Sequence, residues 1–413
     1  MEKIASNILY ISYDGMTDSL GQSQVIPYLK GLSEFGYIIY LISFEKKEAF
    51  AKNKDLISKI LKEKNIVWYP LKYTAKPPVI STLWDVFKMK KQARILQKNI
   101  HFDIVHCRSY IAALAGLWLK EKYGVKFLFD MRGFWVDERV DGGIWALKNP
   151  IFRLIFHYYK KKEIQFFINA DHTISLTEKA KIELGRWLNL KSIPISVIPC
   201  CSDLNHFNFS LINHELMIQK RKETGINSTD FVVSYLGSLG TWYLTEEMML
   251  FFKRLKLIYK NAKFLLITPD KEDIINDLAN KNNINKNDLI IRKASRNDVP
   301  IYLSLSNISI FFIKQAYSKI ASSPTKMGEI LGMGIPVITN SGIGDVDEII
   351  ESSKCGILIK NFNDKDYDYA INKIDKLIKS DKNIFVKASL KYFSLENGVK
   401  RYNEVYKKLL KIS

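Results

Sequence analysis

Ser322-Ser323-Pro324-Thr325-Lys326-Met327-Gly328-Glu329-Ile330-Leu331-Gly332-Met333-Gly334-Ile335-Pro336-Val337-Ile338-Thr339 reads as a short helix followed by a strand. Ser323 suits the N-cap and Pro324 the first helical position, where a missing N–H costs nothing. Gly334 ends the helix, Pro336 prevents its continuation, and the apolar run Val337–Thr339 is strand-like. A helix N-terminus offers free N–H groups and a partial positive charge, which suits phosphate. Ser322, Ser323, Thr325 and Lys326 add donors at that end. Glu329 shares a face with Thr325 and Lys326 through its four- and three-residue spacing. At 1.5 Å per residue it stands roughly 6 Å along the axis from Thr325. That offset resembles the separation between a bound diphosphate and its ribose, whose hydroxyls a carboxylate can accept. The alternative at this point is a capped amphipathic helix with a solvent-facing Glu.

The neighbours weigh against that alternative. Lys314 and Lys319 lie just upstream. Asn340-Ser341-Gly342-Ile343-Gly344-Asp345 is a Gly-rich loop at a strand end, and Tyr235-Leu236-Gly237-Ser238-Leu239-Gly240-Thr241 is a second one. Glycines let backbone approach a ligand closely. Further out, short apolar runs alternate with helical patterns. In the first half these strands are expected at Asn7–Ser12, Tyr37–Phe44, Ile66–Pro70, Asp103–Cys107, Lys126–Asp130, His172–Leu176 and Ile195–Pro199. In the second half they are expected at Phe231–Leu236, Lys263–Thr268, Leu289–Arg292, Ile308–Ile313, Ile335–Thr339 and Gly356–Ile359. Such alternation means parallel sheets covered by helices on both faces. The series pauses at the polar stretch Cys200–Ile212. The reading is therefore α/β with two Rossmann-like domains facing a central cleft: residues 1–204, 205–394, and a C-terminal helix 395–413 returning to the first domain. Ligands in such sheets sit beyond the carboxyl ends of the strands.

Two strand ends of the first half carry candidate chemistry. After Asn7–Ser12 comes a loop containing Gly15 and Gly21, then a helix expected from about Ser23 to Gly36 with Val25, Leu29 and Leu32 toward the core. After Lys126–Asp130 comes Met131-Arg132-Gly133-Phe134-Trp135-Val136-Asp137-Glu138-Arg139. Arg132 is a bidentate donor suited to phosphate or acceptor, and Asp130, Asp137 and Glu138 can orient sugar hydroxyls. An Arg–carboxylate network that merely stabilises the loop fits the same residues. His106 and Arg108 lie at a third strand end.

Net charge is +19, from 62 Lys and Arg against 43 Asp and Glu. This favours an anionic partner or reflects a Lys-rich composition. Two stretches, Trp84–Lys98 and Asn149–Ile168, are basic and amphipathic and suit an anionic membrane surface. No nucleic-acid-binding module is recognisable and the lysines are dispersed. No apolar run is long enough to span a membrane, and Met1–Tyr10 does not read as a signal peptide. The four cysteines lack metal-ligand spacing and read as reduced thiols. A cytoplasmic location, peripheral on the inner face of the cell membrane, is expected.

Ser322–Thr339, with its helix Glu followed by small-x-Gly-x-Pro-Val-Ile, resembles the signature of glycosyltransferase family 4, the group 1 transferases. Val197-Ile198-Pro199 with Asp203 and Phe207 is similar to that family's interdomain linker. Asn169-Ala170-Asp171-His172 to Ser175 is similar to its Ala-Asp…Ser strand, and Gly237-Ser238-Leu239 stands where it has Gly-Arg-Leu. The resemblance runs over residues 7–360 and implies the GT-B fold and a hexosyltransferase-type enzyme. It implies sugar transfer with retention from a nucleotide diphosphate sugar to a glycan or lipid-linked acceptor, in surface polysaccharide or lipopolysaccharide assembly. The donor is a substrate; neither cofactor nor metal is implied. On this reading Lys326, Glu329 and Arg132 are catalytic. Gly21, Gly237, Ser238, Ser322, Ser323, Thr325, Gly342, Asp130 and Glu138 bind substrate, Gly21 by carry-over from the family's phosphate-contacting loop. The sequence departs from the family at Ala321, where a second Glu is usual, and at Ser238, where Arg is usual. No Lys follows Ser238 as in the family, so Lys326, or Lys319 or Lys314, supplies the positive charge. A GT-B sugar-nucleotide epimerase or hydrolase, and a non-catalytic nucleotide-sugar-binding module, are the alternatives.

Overall fold

The computed structural model describes residues 6–188 and 193–412, without the side chain of Leu188. Met1–Ala5, part of the stretch read as no signal peptide, lies outside the described residues. The chain divides into two compact units. The first holds Met1–Cys200, Tyr317–Ser322 and Leu395–Ser413; the second holds Cys201–Ala316 and Ser323–Ser394.

The first unit is built on seven parallel strands: β1 (Asn7–Ser12), β2 (Ile38–Glu45), β3 (Ile66–Lys72), β4 (Ile104–Arg108), β5 (Lys126–Asp130), β6 (His172–Ser175) and β7 (Ile195–Val197). Their order is β3-β2-β1-β4-β5-β6-β7. β1 is flanked by β2 and β4, with Leu9 beside Tyr40 and Val105. This reversal of strand order between β1 and β4 is the switch point at which crevices form in doubly wound sheets. The helix Leu395–Leu410 packs against the helix Ile26–Glu34 and β4 of this unit. It is fixed there by Tyr37, whose hydroxyl donates to Asn403 Oδ1 at 2.7 Å, and by Tyr28 edge-on to Tyr402.

The second unit has six parallel strands: β8 (Phe231–Leu236), β9 (Ala262–Ile267), β10 (Leu289–Arg292), β11 (Ile308–Phe311), β12 (Val337–Asn340) and β13 (Gly356–Ile359). Their order, β10-β9-β8-β11-β12-β13, places the switch point between β8 and β11. Central residues such as Val233, Phe264, Ile310 and Ile338 are fully buried, which is why these runs are apolar throughout instead of alternating.

Two local expectations are corrected. The helix of the signature segment is Thr325–Gly332 and its N-cap is Pro324, with no side-chain cap. Ser323 is therefore not the cap: the backbone is still extended at Pro324, whose carbonyl accepts from Met327 N–H at 3.0 Å. The helix expected from Ser23 is instead two, Ser19–Gln24 and Ile26–Glu34, broken at Val25. Pro27 explains the break, since it favours the first turn of a new helix and interrupts an existing one. Val25, Leu29 and Leu32 are buried as expected.

Candidate functional site

In the second unit the signature helix is set by close packing. A Cβ on Gly328 would stand 2.6 Å from Phe393 Cβ, and one on Gly332 would stand 2.7 Å from the Phe207 carbonyl. Ser389 Oγ donates to Gly328 O at 2.7 Å and Ser202 Oγ to Thr325 O at 3.1 Å. Thus Gly328 lets the helix lie against the helix Lys382–Phe393, and Gly332 lets it meet Phe207.

That first turn brings Lys326 to the carboxyl end of β8. Its side chain is buried, and Nζ lies 3.5 Å from the ring centre of Tyr243 and 4.3 Å from that of Tyr235. Nζ also donates to Tyr235 Oη at 3.2 Å. Tyr235 in turn donates to Ser238 O at 2.5 Å, tying the Gly-rich turn to the same hydroxyl. Gly237 is left-handed at φ +116°, and a Cβ there would stand 3.0 Å from Lys326 Nζ. Asp270, just beyond the end of β9, braces the turn, accepting from Leu239 N–H at 2.6 Å and Thr268 Oγ1 at 2.9 Å. Burial pulls the Lys326 ammonium well below its usual range, against the opposing pull of Glu329. Glu329 is partly exposed in area but lies deep in protein; burial pushes its carboxyl up, while Arg296 and then Lys326 act to lower it.

The strand ends around this turn are similarly ordered. Asn340 at the end of β12 accepts from Ile313 N–H at 2.7 Å and donates back to Ile313 O at 3.0 Å. Gln315 Nε2 donates to Ser341 O at 2.9 Å, and Gly342 N–H donates to Asp347 Oδ2 at 3.0 Å. Gly342 and Ser238 are exposed, while Ser323 and Thr325 are half-buried.

In the first unit the charges at the sheet edge neutralise one another. Asp130 Oδ2 accepts from Tyr402 Oη at 2.9 Å and lies 3.5 Å from His106 Nε2 and 3.9 Å from Arg132. His106 Nδ1 lies 2.8 Å from Tyr406 Oη, and Arg108 pairs with Asp14 at 3.2 Å. Burial acts to raise the Asp130 carboxyl, but Arg132, His106 and Arg108 outweigh it and hold it below the ordinary value. A small cavity beside this cluster is lined in part by Tyr10, Gln24, Tyr28, His106, Asp130 and Tyr402. Arg132 has φ 56° and is followed by Gly133 at φ +115°, a turn that sends its guanidinium inward to Cys200 Sγ at 3.0 Å. Glu138 pairs with Lys319 at 2.9 Å, so the lysine just upstream of the signature is taken up within this unit. Gly21 is a close-approach position, where a Cβ would stand 2.2 Å from Gly15 O. The preceding loop is anchored by Glu45, which accepts from Met16 N–H at 2.8 Å and Thr17 N–H at 3.1 Å.

The second unit thus gathers Lys326, Glu329, Ser323, Thr325, Gly237, Ser238 and Gly342. The first holds Arg132, Asp130, Glu138, Gly21 and Ser322. Sequence reasoning missed Tyr235, Tyr243, Asp270 and Arg296. Tyr235 reads as an ordinary strand residue and Tyr243 as a loop aromatic, so neither has a motif. Tyr402 and Tyr406, on the buried face of the C-terminal helix, carry only an amphipathic signal.

Two family profiles match the chain in succession. That described as Glycosyltransferase Family 4 matches residues 25–206, and that described as Glycosyl transferases group 1 matches 217–388. Solved structures share the fold along almost the whole chain. A glycosyltransferase from Rickettsia africae ESF-5 has a TM-score of 0.73 at 16% identity, over 99% of this chain and 100% of that one. Sucrose-phosphate synthase from Thermosynechococcus elongatus has a TM-score of 0.74 at 14% identity, over the same shares. Anabaena Alr3699/HepE, solved with UDP and glucose, has a TM-score of 0.68 at 14% identity, over 97% of this chain and 99% of that one. No curated protein matches the sequence. The fold is therefore GT-B. The chain belongs to the group 1 glycosyltransferases and is a glycosyl-transferring enzyme.

Proposed function

We propose that the second unit binds the donor, a nucleotide diphosphate sugar, with the diphosphate at Lys326, the Gly237–Ser238 turn, Ser323 and Thr325, and the ribose hydroxyls on Glu329. Gly342 borders the same strand ends. The carrying observation is the buried ammonium of Lys326 beside a left-handed glycine turn at the β8/β11 switch point. Negative charge grows on the diphosphate as it leaves the sugar, and a fixed cation aimed there lowers the barrier. The acceptor hydroxyl attacks from the side the diphosphate vacates and its proton passes to the departing phosphate, giving retention. Ser322, Gly21, Glu138, Arg132 and Asp130 belong to the acceptor side of this reading, the last two as a buried pair that shapes the strand end. Neither metal nor cofactor has a role in it.

The test is a thermal-shift panel of nucleoside diphosphates and nucleotide sugars. Lys326→Ala and Glu329→Ala, both folded, are expected to lose about 100-fold and about 10-fold in nucleotide affinity, as charge-assisted hydrogen bonds of about 1.5–3 kcal/mol imply. Equal stabilisation of all three proteins would reject the site. With an acceptor in hand, the anomeric signals of the product in NMR decide retention.

We further propose that the acceptor is a glycan or lipid-linked saccharide of a surface polysaccharide or lipopolysaccharide, and that the enzyme works in the cytoplasm at the inner face of the cell membrane. The support is a property of two helices, Ile80–Ile100 and Pro150–Asn169. They expose Leu83, Trp84, Phe87, Ile151 and Leu154, the last at 72%. Their only acids, Asp85 and Glu163, are both fully buried, while Lys91, Arg94, Arg153 and Lys161 are exposed. Among the described residues no helix is long and apolar enough to cross a membrane. Apolar side chains ringed by exposed cations and no exposed acid suit an anionic lipid surface. Flotation with vesicles containing phosphatidylglycerol should carry the protein up at low salt and lose it after Trp84→Ser with Leu154→Ser; equal recovery with neutral vesicles would reject the reading.

A further inference from the structure

We infer that Tyr235 and Tyr243 are positioning residues: together they form a two-ring cage that holds the Lys326 ammonium against the Gly237–Ser238 turn, where the donor's diphosphate docks. The inference rests on the donor reading above. Its content is that the cation is kept in place by groups that attract it without cancelling its charge.

The geometry has three parts. The Tyr235 hydroxyl has one proton, and the 2.5 Å contact to Ser238 O assigns that proton to the carbonyl. Its contact with Lys326 Nζ at 3.2 Å is then donated by the ammonium. One hydroxyl therefore ties the lysine to the turn. Second, the ammonium lies over both rings, at 3.5 Å and 4.3 Å from their centres, within the range in which a ring face attracts a cation. Third, Tyr243 is itself fixed: its backbone pairs with Ile313 beyond β11, and its N–H donates to Gly240 O at 3.0 Å. One half of the cage thus comes from the end of β8 and the other from the loop that follows it, at the β8/β11 switch point.

A carboxylate in place of the rings would hold Lys326 equally well but would compete with an incoming phosphate. The rings leave the positive charge uncancelled. The titratable groups around it are Tyr235 from β8, Tyr243 from the following loop and Glu329 from its own helix, with Asp270 beyond the Tyr235 hydroxyl. Burial, then Tyr243 and Asp270, push the Tyr235 hydroxyl far up, so it remains a neutral donor. Burial pulls Lys326 down, against Glu329. The sign follows. Lys326 must be charged to hold the diphosphate, so affinity is full at low pH and falls as pH rises through its lowered value. Binding of the anion favours the charged form and takes up a proton.

The experiment measures the affinity of UDP and GDP for the full chain by calorimetry over roughly pH 6 to 9.5, the range below a normal lysine. Tyr235→Phe keeps the ring and loses the tie; Tyr243→Leu loses a ring; Tyr243→Phe keeps it. Tyr235→Phe and Tyr243→Leu are each expected to weaken binding about 10-fold, and Tyr243→Phe to bind like wild type. In Tyr243→Leu the decline in affinity is expected at lower pH, because the ammonium loses a ring face that favours its charged form. Adding Tyr235→Phe to Lys326→Met should cost nothing more. Tyrosine variants with wild-type affinity and pH profile, while Lys326→Met loses binding, would overturn the cage and leave the donor site standing. So would equal losses from Tyr235→Phe with and without Lys326. Undiminished binding by Lys326→Met would overturn the donor reading itself. Melting curves of each variant separate these outcomes from loss of fold.

Discussion

At the edge of the first sheet, Arg108 and Arg132 are buried among Asp14, Asp130, His106 and Tyr402; at the edge of the second, Lys326 is buried between two aromatic rings. Both places put cations out of water, where an uncompensated charge is costly. The first compensates with carboxylates from neighbouring strand ends, and the second with ring faces and one hydroxyl. The chemical consequence differs. A cation already matched by an acid has little left to offer an anion, whereas rings leave the charge they hold uncancelled, though burial draws its pKa down. Burial of charge therefore marks structure at one edge and candidate chemistry at the other.

Asp130→Asn tests this most severely. The substitution keeps shape and removes the charge that faces His106 and Arg132. Breaking a buried pair from one side leaves the other side uncompensated, and about 3–5 kcal/mol of stability is expected to go. Chemical denaturation followed through a tryptophan of the first unit, such as Trp135, reads this directly. UDP affinity at the second unit should change little. Lys326→Met is expected to behave oppositely, with unfolding free energy unchanged or raised because a desolvated ammonium is gone, and nucleotide affinity lost. If Lys326→Met unfolds the protein while Asp130→Asn does not, the assignment of structural and functional charge is inverted.

Much of this contrast lay outside what the sequence can express. The strands were legible because each is a short β-branched or aromatic run bounded by turn residues, and a sheet buried on both faces demands such runs; Asn7–Ser12, Lys126–Asp130, Phe231–Leu236, Leu289–Arg292 and Gly356–Ile359 fall where the pattern puts them. Lys326 and Glu329 were legible as members of one helical face. The surroundings of Lys326 were not. Tyr235 sits in a strand at which any apolar residue satisfies the periodicity, and its hydroxyl matters only because β8 ends beside the helix Thr325–Gly332. Arg132 was legible as a cation near a strand end, but its inward turn depends on a left-handed backbone that an Arg-Gly pair permits without requiring. The helix cap is not legible for a local reason: Ser323 has the chemistry of a cap, but the backbone turns helical only after Pro324.

The smaller effect concerns Gly237, in the turn against which Lys326 is held. Its φ of +116° is a conformation that L side chains rarely adopt, so Gly237→Ala strains the backbone by about 1–3 kcal/mol whatever space is present. The added methyl also meets Lys326 Nζ at 3.0 Å, and a flexible ammonium can withdraw where backbone cannot. If Lys326 withdraws, it leaves the rings of Tyr235 and Tyr243 and its charge moves off the turn. A modest fall in melting temperature should then accompany a disproportionate loss of nucleotide affinity, and combining Gly237→Ala with Lys326→Met should lose no more affinity than Lys326→Met alone. Separate and additive losses would mean that the turn contacts the ligand through its own backbone and not through the lysine it adjoins. The cage would then matter less than the glycine that makes room for it.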